Sequence, residues 1–240
     1  MSSFAPSGDP TIPDYGKASK CVQNNEAFCV DWFVDQWPHV FWQPLVTHIW
    51  MTVIAVVIGF IIAFFAALIA YRNKWLTSPF SMVTTFLYTL PPLALFQLLV
   101  PITGLTFLTV EIALVCFTLV ILFRGVLSGL ASVPSDVKKA AQGMGLSSRQ
   151  TLMQIELPLA IPSIISSLRI ATVLTVSIAT IAAFVVDDGL GSPIIKAISS
   201  PFNTQFIGAG VLAVLLAFVF DGILVLFGRI LTPWTKQRKA

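Results

Sequence analysis

Charge is what this chain has least of. Only 10% of its 240 residues are Asp, Glu, Lys or Arg, and 56% are hydrophobic, whereas about a quarter of a soluble domain is charged. A water-soluble domain is thereby excluded, and the chain belongs in a bilayer. Histidine is nearly absent: His39 and His48 form no HExxH, no GxSxG occurs, and neither a metal site nor a zinc or serine hydrolase site can be assembled. There is no GxxxxGK[ST] phosphate loop, so the chain cannot hydrolyse ATP by itself. Residues 1–30 lack the apolar core of a cleavable signal, so the first membrane span is expected to direct insertion and the tail before it to persist.

What is present is long apolar runs. A hydrocarbon core of about 30 Å needs about 20 apolar residues per helix, and five runs qualify: 44–70, 80–101, 104–123, 158–186 and 206–231. They do not alternate as barrel strands would, so an all-α, polytopic helical bundle is expected. Basic residues set the orientation. Arg72, Lys74, Arg124, Lys138, Lys139, Arg149, Arg229, Lys236, Arg238 and Lys239 fall on one side, and Lys17, Lys20 and Lys196 on the other. The positive-inside rule then puts the N-terminus outside and the C-terminus in the cytoplasm. These topology markers account for most of the net charge of +3, leaving no basic stripe for nucleic acid.

Residues 1–43 read as an outer tail, rich in Pro, Gly and Ser at first and ending in an interfacial segment with Trp32, Trp37 and Trp42. Cys21 and Cys29 both lie outside, where a disulfide is permitted, although spacing alone leaves the pairing open. Cys116 reads as a small apolar packing residue within a span.

Between the third and fourth spans lies a polar, Gly-punctuated stretch, 134–158. Ser135 is placed to cap a short helix ending near Gln142, with Gly143 or Gly145 as its left-handed stop. Ser147 and Gln150 make a capping box for a second helix, and Pro158 and Pro162 are expected to bend the chain into the fourth span. Ala140 and Ala141 put small side chains on one side of the first helix, which would let a partner approach closely. Alternatively, the stretch is merely a loop joining two spans.

The series Ala140, Ala141, Gly145, Ile155, Leu157, Pro158 resembles the EAA coupling motif of permease subunits of binding-protein-dependent ABC importers, matching its spacing at every step, with Lys139 where the family has Glu. The likeness covers about residues 44–233. "TLPPLALFQLLVPITG" (89–104) and "LPLAIPSIISSLRIATVLTVSIATIAAFVVDDGLGSPI" (157–194) look most like permeases for glycine betaine, carnitine, choline and related osmoprotectants. Asp187 and Asp188 ahead of Gly189 and Gly191 replace the small-residue pair of those relatives in an outer loop.

The resemblance implies a type I ABC importer permease (MetI-like) fold of about five core helices in a bacterial cytoplasmic membrane. It also implies a transport subunit rather than an enzyme. The domain would occupy 44–233, with the coupling hairpin at 134–158 and a cytoplasmic tail at 234–240. The hairpin would insert into an ABC ATPase dimer that carries ATP and Mg, this chain binding no cofactor. A loaded binding protein would dock outside, and a second permease chain, identical or sister, would complete the path. Methionine or ergothioneine are alternative solutes. An ion-coupled secondary carrier is a rival class, disfavoured by the lack of an internal repeat.

Ionisable groups within spans are candidate functional residues. Arg169 and Asp221 lie at matching depths on antiparallel helices and are expected to pair, for bracing or for a role on the path. Glu111, near the outer face, either lines the path or snorkels and bonds a neighbour; His48 reads as a hydrogen-bonded interfacial residue. Pro91 and Pro92, near the middle of the second span, either free carbonyls for a cavity or make a packing kink.

Overall fold

The computed structural model describes residues 19–233. The Pro-, Gly- and Ser-rich opening, Lys17, and the tail with Lys236, Arg238 and Lys239 lie outside the described residues. Every regular element among those described is helical. Short helices α1 (Lys20–Gln23) and α2 (Val30–Asp35) and a π-helical turn, Trp37–Phe41, lead into α3 (Trp42–Arg72). Then follow α4 (Lys74–Thr89), α5 (Pro92–Thr103), α6 (Phe107–Ala131), α7 (Ser135–Gly143), α8 (Ser148–Thr151), α9 (Leu157–Ile181), α10 (Gly191–Ser199) and α11 (Asn203–Leu231).

Four stretches, Trp37–Arg72, Phe107–Ala131, Ser148–Phe184 and Asn203–Leu231, are long and apolar enough to cross a membrane; α4 and α5 add a fifth crossing if taken as one broken span. The break expected at Pro91 and Pro92 within 80–101 is a bend of 99° between the two helices. The cause is local. A residue before proline is driven out of the helical region, and this happens twice in succession: Leu90 and Pro91 have ψ of 132° and 136°. The Pro91 carbonyl is not left free, since it accepts the Leu95 N–H at 3.0 Å.

α3 packs on α6, α6 on α9, and α9 on α11. With lipid tails as apolar as leucine, such contacts depend on close approach of small residues. A Cβ at Gly59 would collide with the Thr118 hydroxyl, and one at Gly125 with the Ser167 side chain. Two apolar clusters fill the seams: Met51, Phe96, Leu114 and Ala179 toward one end, and Ala67, Phe123, Leu130 and Ile164 toward the end carrying α7 and α8.

Residues 19–41 form a cap rather than a loosely lying segment. Cys21 and Cys29 are disulfide-bonded. The Cys29 N–H donates to the buried Thr204 hydroxyl, and Asn25 accepts two hydrogen bonds from Asn203 and donates to the Pro201 carbonyl. Trp32 meets Phe202 edge-on at 4.6 Å, and Phe33 packs over Gly208. Two of the three tryptophans therefore pack within the protein, Trp37 lying against Phe33 and Phe41, while Trp42 is exposed.

Candidate functional site

The stretch between α6 and α9 stands out as a protruding hairpin. Pro134, not Ser135, occupies the N-cap of α7; Ser135 is already helical and its hydroxyl bonds Asp136 instead of the backbone. The proline supplies the extended backbone a cap requires, so the serine is displaced by one position. Gly145, at φ +86°, makes the left-handed stop, and Gly143 stays helical. The Ser147–Gln150 capping box is formed in both directions.

α8 does not end in a bend. It continues through a π-helical turn, Leu152–Glu156, into α9, so 148–184 is one helical stretch despite Pro158 and Pro162. Pro158 lies in the first turn of α9, where its missing N–H is tolerated. Ala140 and Ala141 do not share a side: Ala141 is buried while Ala140 and Lys139 are exposed, because successive helical residues are about 100° apart. Ile155, Leu157 and Pro158 are half-buried, and the tip presents Met144, 72% exposed.

A polar cluster that sequence reading missed holds this hairpin. The Tyr71 hydroxyl at the end of α3 donates to Glu156 at 2.5 Å and accepts from Lys138 Nζ at 2.7 Å. Lys138 also reaches Glu156 at 3.8 Å and the Leu130 carbonyl at 3.4 Å. One network thus joins α3, the end of α6, α7 and the π turn. In the sequence Lys138 reads as one more topology marker, and nothing local singles out Glu156 in "IELP".

At the opposite end, the loop from Asp187 to Gly191 is pinned. Asp187 pairs with Lys196 at 2.8 Å and accepts from Ser192, and these two partners hold its carboxyl below the usual carboxylate range. Asp188 accepts the Gly189 N–H. Gly189, at φ +68°, lies so close to His48 that a Cβ would stand 3.3 Å from Nδ1, and a Cβ at Gly191 would strike the Thr180 carbonyl. His48 is fully buried, which corrects its reading as an interfacial residue. Its Nδ1 accepts the Leu190 N–H at 3.2 Å, which leaves Nε2 as the protonated nitrogen, donating to the Val176 carbonyl at 3.1 Å.

Glu111 also departs from expectation. It neither snorkels nor bonds a neighbour: it is 6% exposed, and neither carboxylate oxygen has a hydrogen-bond partner among the described residues. Its place five residues into α6, facing the packed side of the helix, keeps it from reaching the interface. Arg169 and Asp221 are brought together, Nε to Oδ1 at 2.7 Å and an Nη to Oδ2 at 2.8 Å. Cys116 is a free, half-buried thiol.

A bundle of membrane-crossing helices with a braced polar hairpin at one end and a pinned loop at the other defines a multi-pass membrane protein. Residues 55–237 match the family described as "Binding-protein-dependent transport system inner membrane component", and the chain belongs to that family. It is 31% identical over 191 residues to the osmoprotectant import permease OsmW of Salmonella typhimurium, covering 78% of this chain and 89% of that one. It is 28% identical to the choline transport permease OpuBB of Bacillus subtilis, covering 80% and 88%. An inward-facing MetNI methionine ABC transporter structure shares its fold, with TM-score 0.70, 21% identity and coverage of 79% and 96%. Such permeases work with a separate ATPase and a substrate-binding protein. The family match begins at residue 55, beyond the cap.

Proposed function

We propose that this chain is the permease subunit of an ATP-driven importer for a small osmoprotectant, a quaternary amine such as glycine betaine, carnitine or choline, delivered by a binding protein. The hairpin carries this reading: it is short, capped, apolar at its tip and tied to α3 and the end of α6 through Tyr71, Lys138 and Glu156. Such a knob fits a groove in an ATPase dimer and transmits its motion without buckling. Lys139, Ala140, Ala141, Gly145, Ile155, Leu157 and Pro158 are the proposed coupling residues, within a permease unit of 44–233. The solute class is supported by the printed names of the relatives.

In this reading the hairpin end faces the cytoplasm, the N-terminus and cap lie outside and the C-terminus lies inside, in keeping with the distribution of basic residues. ATP and Mg belong to the ATPase. The binding protein docks on the outer face, where Asp187, Asp188, Gly189 and Gly191 shape the loop. A second permease chain, identical or sister, completes the path, because so few crossings per chain cannot enclose it alone.

Vesicles containing the chain with its ATPase and binding protein should take up one of these solutes only with internal ATP; uptake driven by an ion gradient without ATP refutes the reading. Gly145→Phe tests the hairpin separately. Beyond its chain neighbours, no atom of the described residues lies within 4 Å of a Cβ there, so the main cost is the left-handed backbone, about 1–2 kcal/mol. Membrane insertion should persist while ATPase stimulation by the loaded binding protein is lost.

A further inference from the structure

The groove between α9 and α11 is divided by the Arg169–Asp221 pair. On the hairpin side lies a pocket of about 210 Å³ that includes Ser166, Arg169, Gly228 and Arg229 in its wall. On the other side lies a cavity of about 590 Å³ that includes Ser177, Thr180, Phe218 and Asp221. Arg169 lies in the wall of the first and Asp221 in the wall of the second, so the bonded pair stands between the two spaces.

The spaces differ in charge rather than in hydroxyl groups: the larger cavity is mainly apolar and its Thr180 hydroxyl bonds the Ser177 carbonyl, so the Asp221 carboxylate sets it apart. The groove that α9 and α11 make with α3 is lined by Val57, Phe60, Leu168 and Ile223, and its Thr52 and Thr172 hydroxyls are turned onto the carbonyls of their own helices. That face suits lipid. The pair's side chains, by contrast, are 39% and 30% exposed, and charge at this depth is costly against hydrocarbon. A pair near mid-helix that remains this accessible belongs beside water or a polar passenger. It also keeps bonding capacity in reserve, since a guanidinium has five N–H donors and a carboxylate about four acceptor sites, and two of each are used.

We propose that the Arg169–Asp221 pair is an exchangeable gate on the solute route, with Asp221 receiving the quaternary ammonium from the larger cavity and Arg169 receiving a carboxylate on the hairpin side. This rests on the osmoprotectant reading above. Phe218 is three residues from Asp221 on the same face of α11, so an aromatic ring and a carboxylate are presented together, the combination that recognises a quaternary ammonium. A zwitterion with one ammonium and one carboxylate can replace each partner of the pair in turn, leaving no charge unpaired as it passes. Choline, lacking the carboxylate, uses only Asp221.

The test compares glycine betaine, carnitine and choline uptake in vesicles holding the complete transporter. Asp221→Asn should lower uptake of all three at least tenfold, and Arg169→Gln should lower the two carboxylate-bearing solutes about tenfold more than choline. Equal effects of Arg169→Gln on all three, or wild-type uptake by the Arg169→Leu/Asp221→Leu variant, overturn the proposal. A second arm leaves the pair intact. In a Cys116→Ser background, a trimethylammonium-bearing thiol reagent should modify Ser177→Cys at least tenfold faster than Val57→Cys on the lipid-side groove, and equally slow labelling of both overturns the proposal. If wild-type vesicles import none of the three solutes, the substrate reading falls, and labelling alone decides whether the pair borders an aqueous route.

Discussion

Removing the single hydroxyl of Tyr71 should loosen the hairpin between α6 and α9. Tyr71→Phe keeps the ring, on which Lys138 Nζ sits 5.4 Å from the centroid, and deletes only the donor to Glu156 and the acceptor for Lys138. The Lys138 and Glu156 side chains are 24% and 10% exposed, so water replaces the lost bonds poorly. A hydrogen bond to a charged group is worth about 1.5–3 kcal/mol. Lys138 can partly compensate by closing its 3.8 Å separation from Glu156. The docked hairpin should therefore lose about 1.5–3 kcal/mol, roughly 10- to 150-fold in its opening equilibrium. Hydrogen exchange of α7 amides in the reconstituted protein reads that directly. Glu156→Gln should loosen the same helix, and the double variant should fall short of the sum. Unchanged α7 exchange in Tyr71→Phe, or additivity within about 0.5 kcal/mol, would refute the view that this cluster braces the hairpin.

Three further outcomes follow from the packing and the charges. Gly125→Val, which drives side-chain atoms into Ser167, should destabilise the α6–α9 contact by about 1–3 kcal/mol, read as a lower melting temperature in detergent. Asp187, whose carboxyl is held below its usual range by Lys196 and Ser192, stabilises the loop at any pH above the ordinary carboxylate value near about 4. That contribution disappears as pH falls through the lowered value, so proteolysis of 185–192 should be unchanged from pH 8 to 5 and should rise only in stronger acid; exposure limits the effect to under about 1 kcal/mol. Glu111→Leu removes a buried carboxyl with no partner among the described residues and should leave stability equal or raise it by about 1–3 kcal/mol. A clear loss of stability would refute the view that this carboxyl is unpartnered.

The fold class was legible because it depends on composition and run length, which are local. The hairpin's spacing and its capping box were legible for the same reason, being set within a few residues. The bend at Pro91 was half legible: two prolines announce a break, but only the consecutive extended residues Leu90 and Pro91 fix it at 99°. The Tyr71–Lys138–Glu156 cluster was not legible, because its members lie 67 and 85 positions apart and each has an innocent local reading as interfacial aromatic, topology marker or helix former. The same holds for His48, whose partners at Val176 and Leu190 are 128 and 142 positions away. The cap was misread because its aromatic residues suit a headgroup region as well as they suit Phe202 and Gly208, and only the Asn25 and Cys29 bonds to the start of α11 distinguish the two.

α9 is the element through which these sites are connected. Its hairpin end grows without a bend out of α8 through the π turn that carries Glu156, so the hairpin cannot tilt without moving α9 unless the Tyr71 and Lys138 bonds give way first. Its other end is tied to α3 by the Val176 carbonyl on His48, and the same imidazole holds Leu190 of the pinned loop. Between these anchors sits Arg169, whose Asp221 partner is on a different helix. A rotation of α9 driven from the hairpin end would therefore act on the Arg169–Asp221 ion pair between α9 and α11, while Gly59 against Thr118 keeps α3 and α6 in register. Freeing the far anchor should separate transmission from gating: His48→Phe, which retains bulk but removes both bonds, should leave hairpin protection as it is and uncouple uptake from ATP hydrolysis. If hairpin protection fell as well, α9 would be moving as part of a softened bundle rather than as a lever between two fixed points.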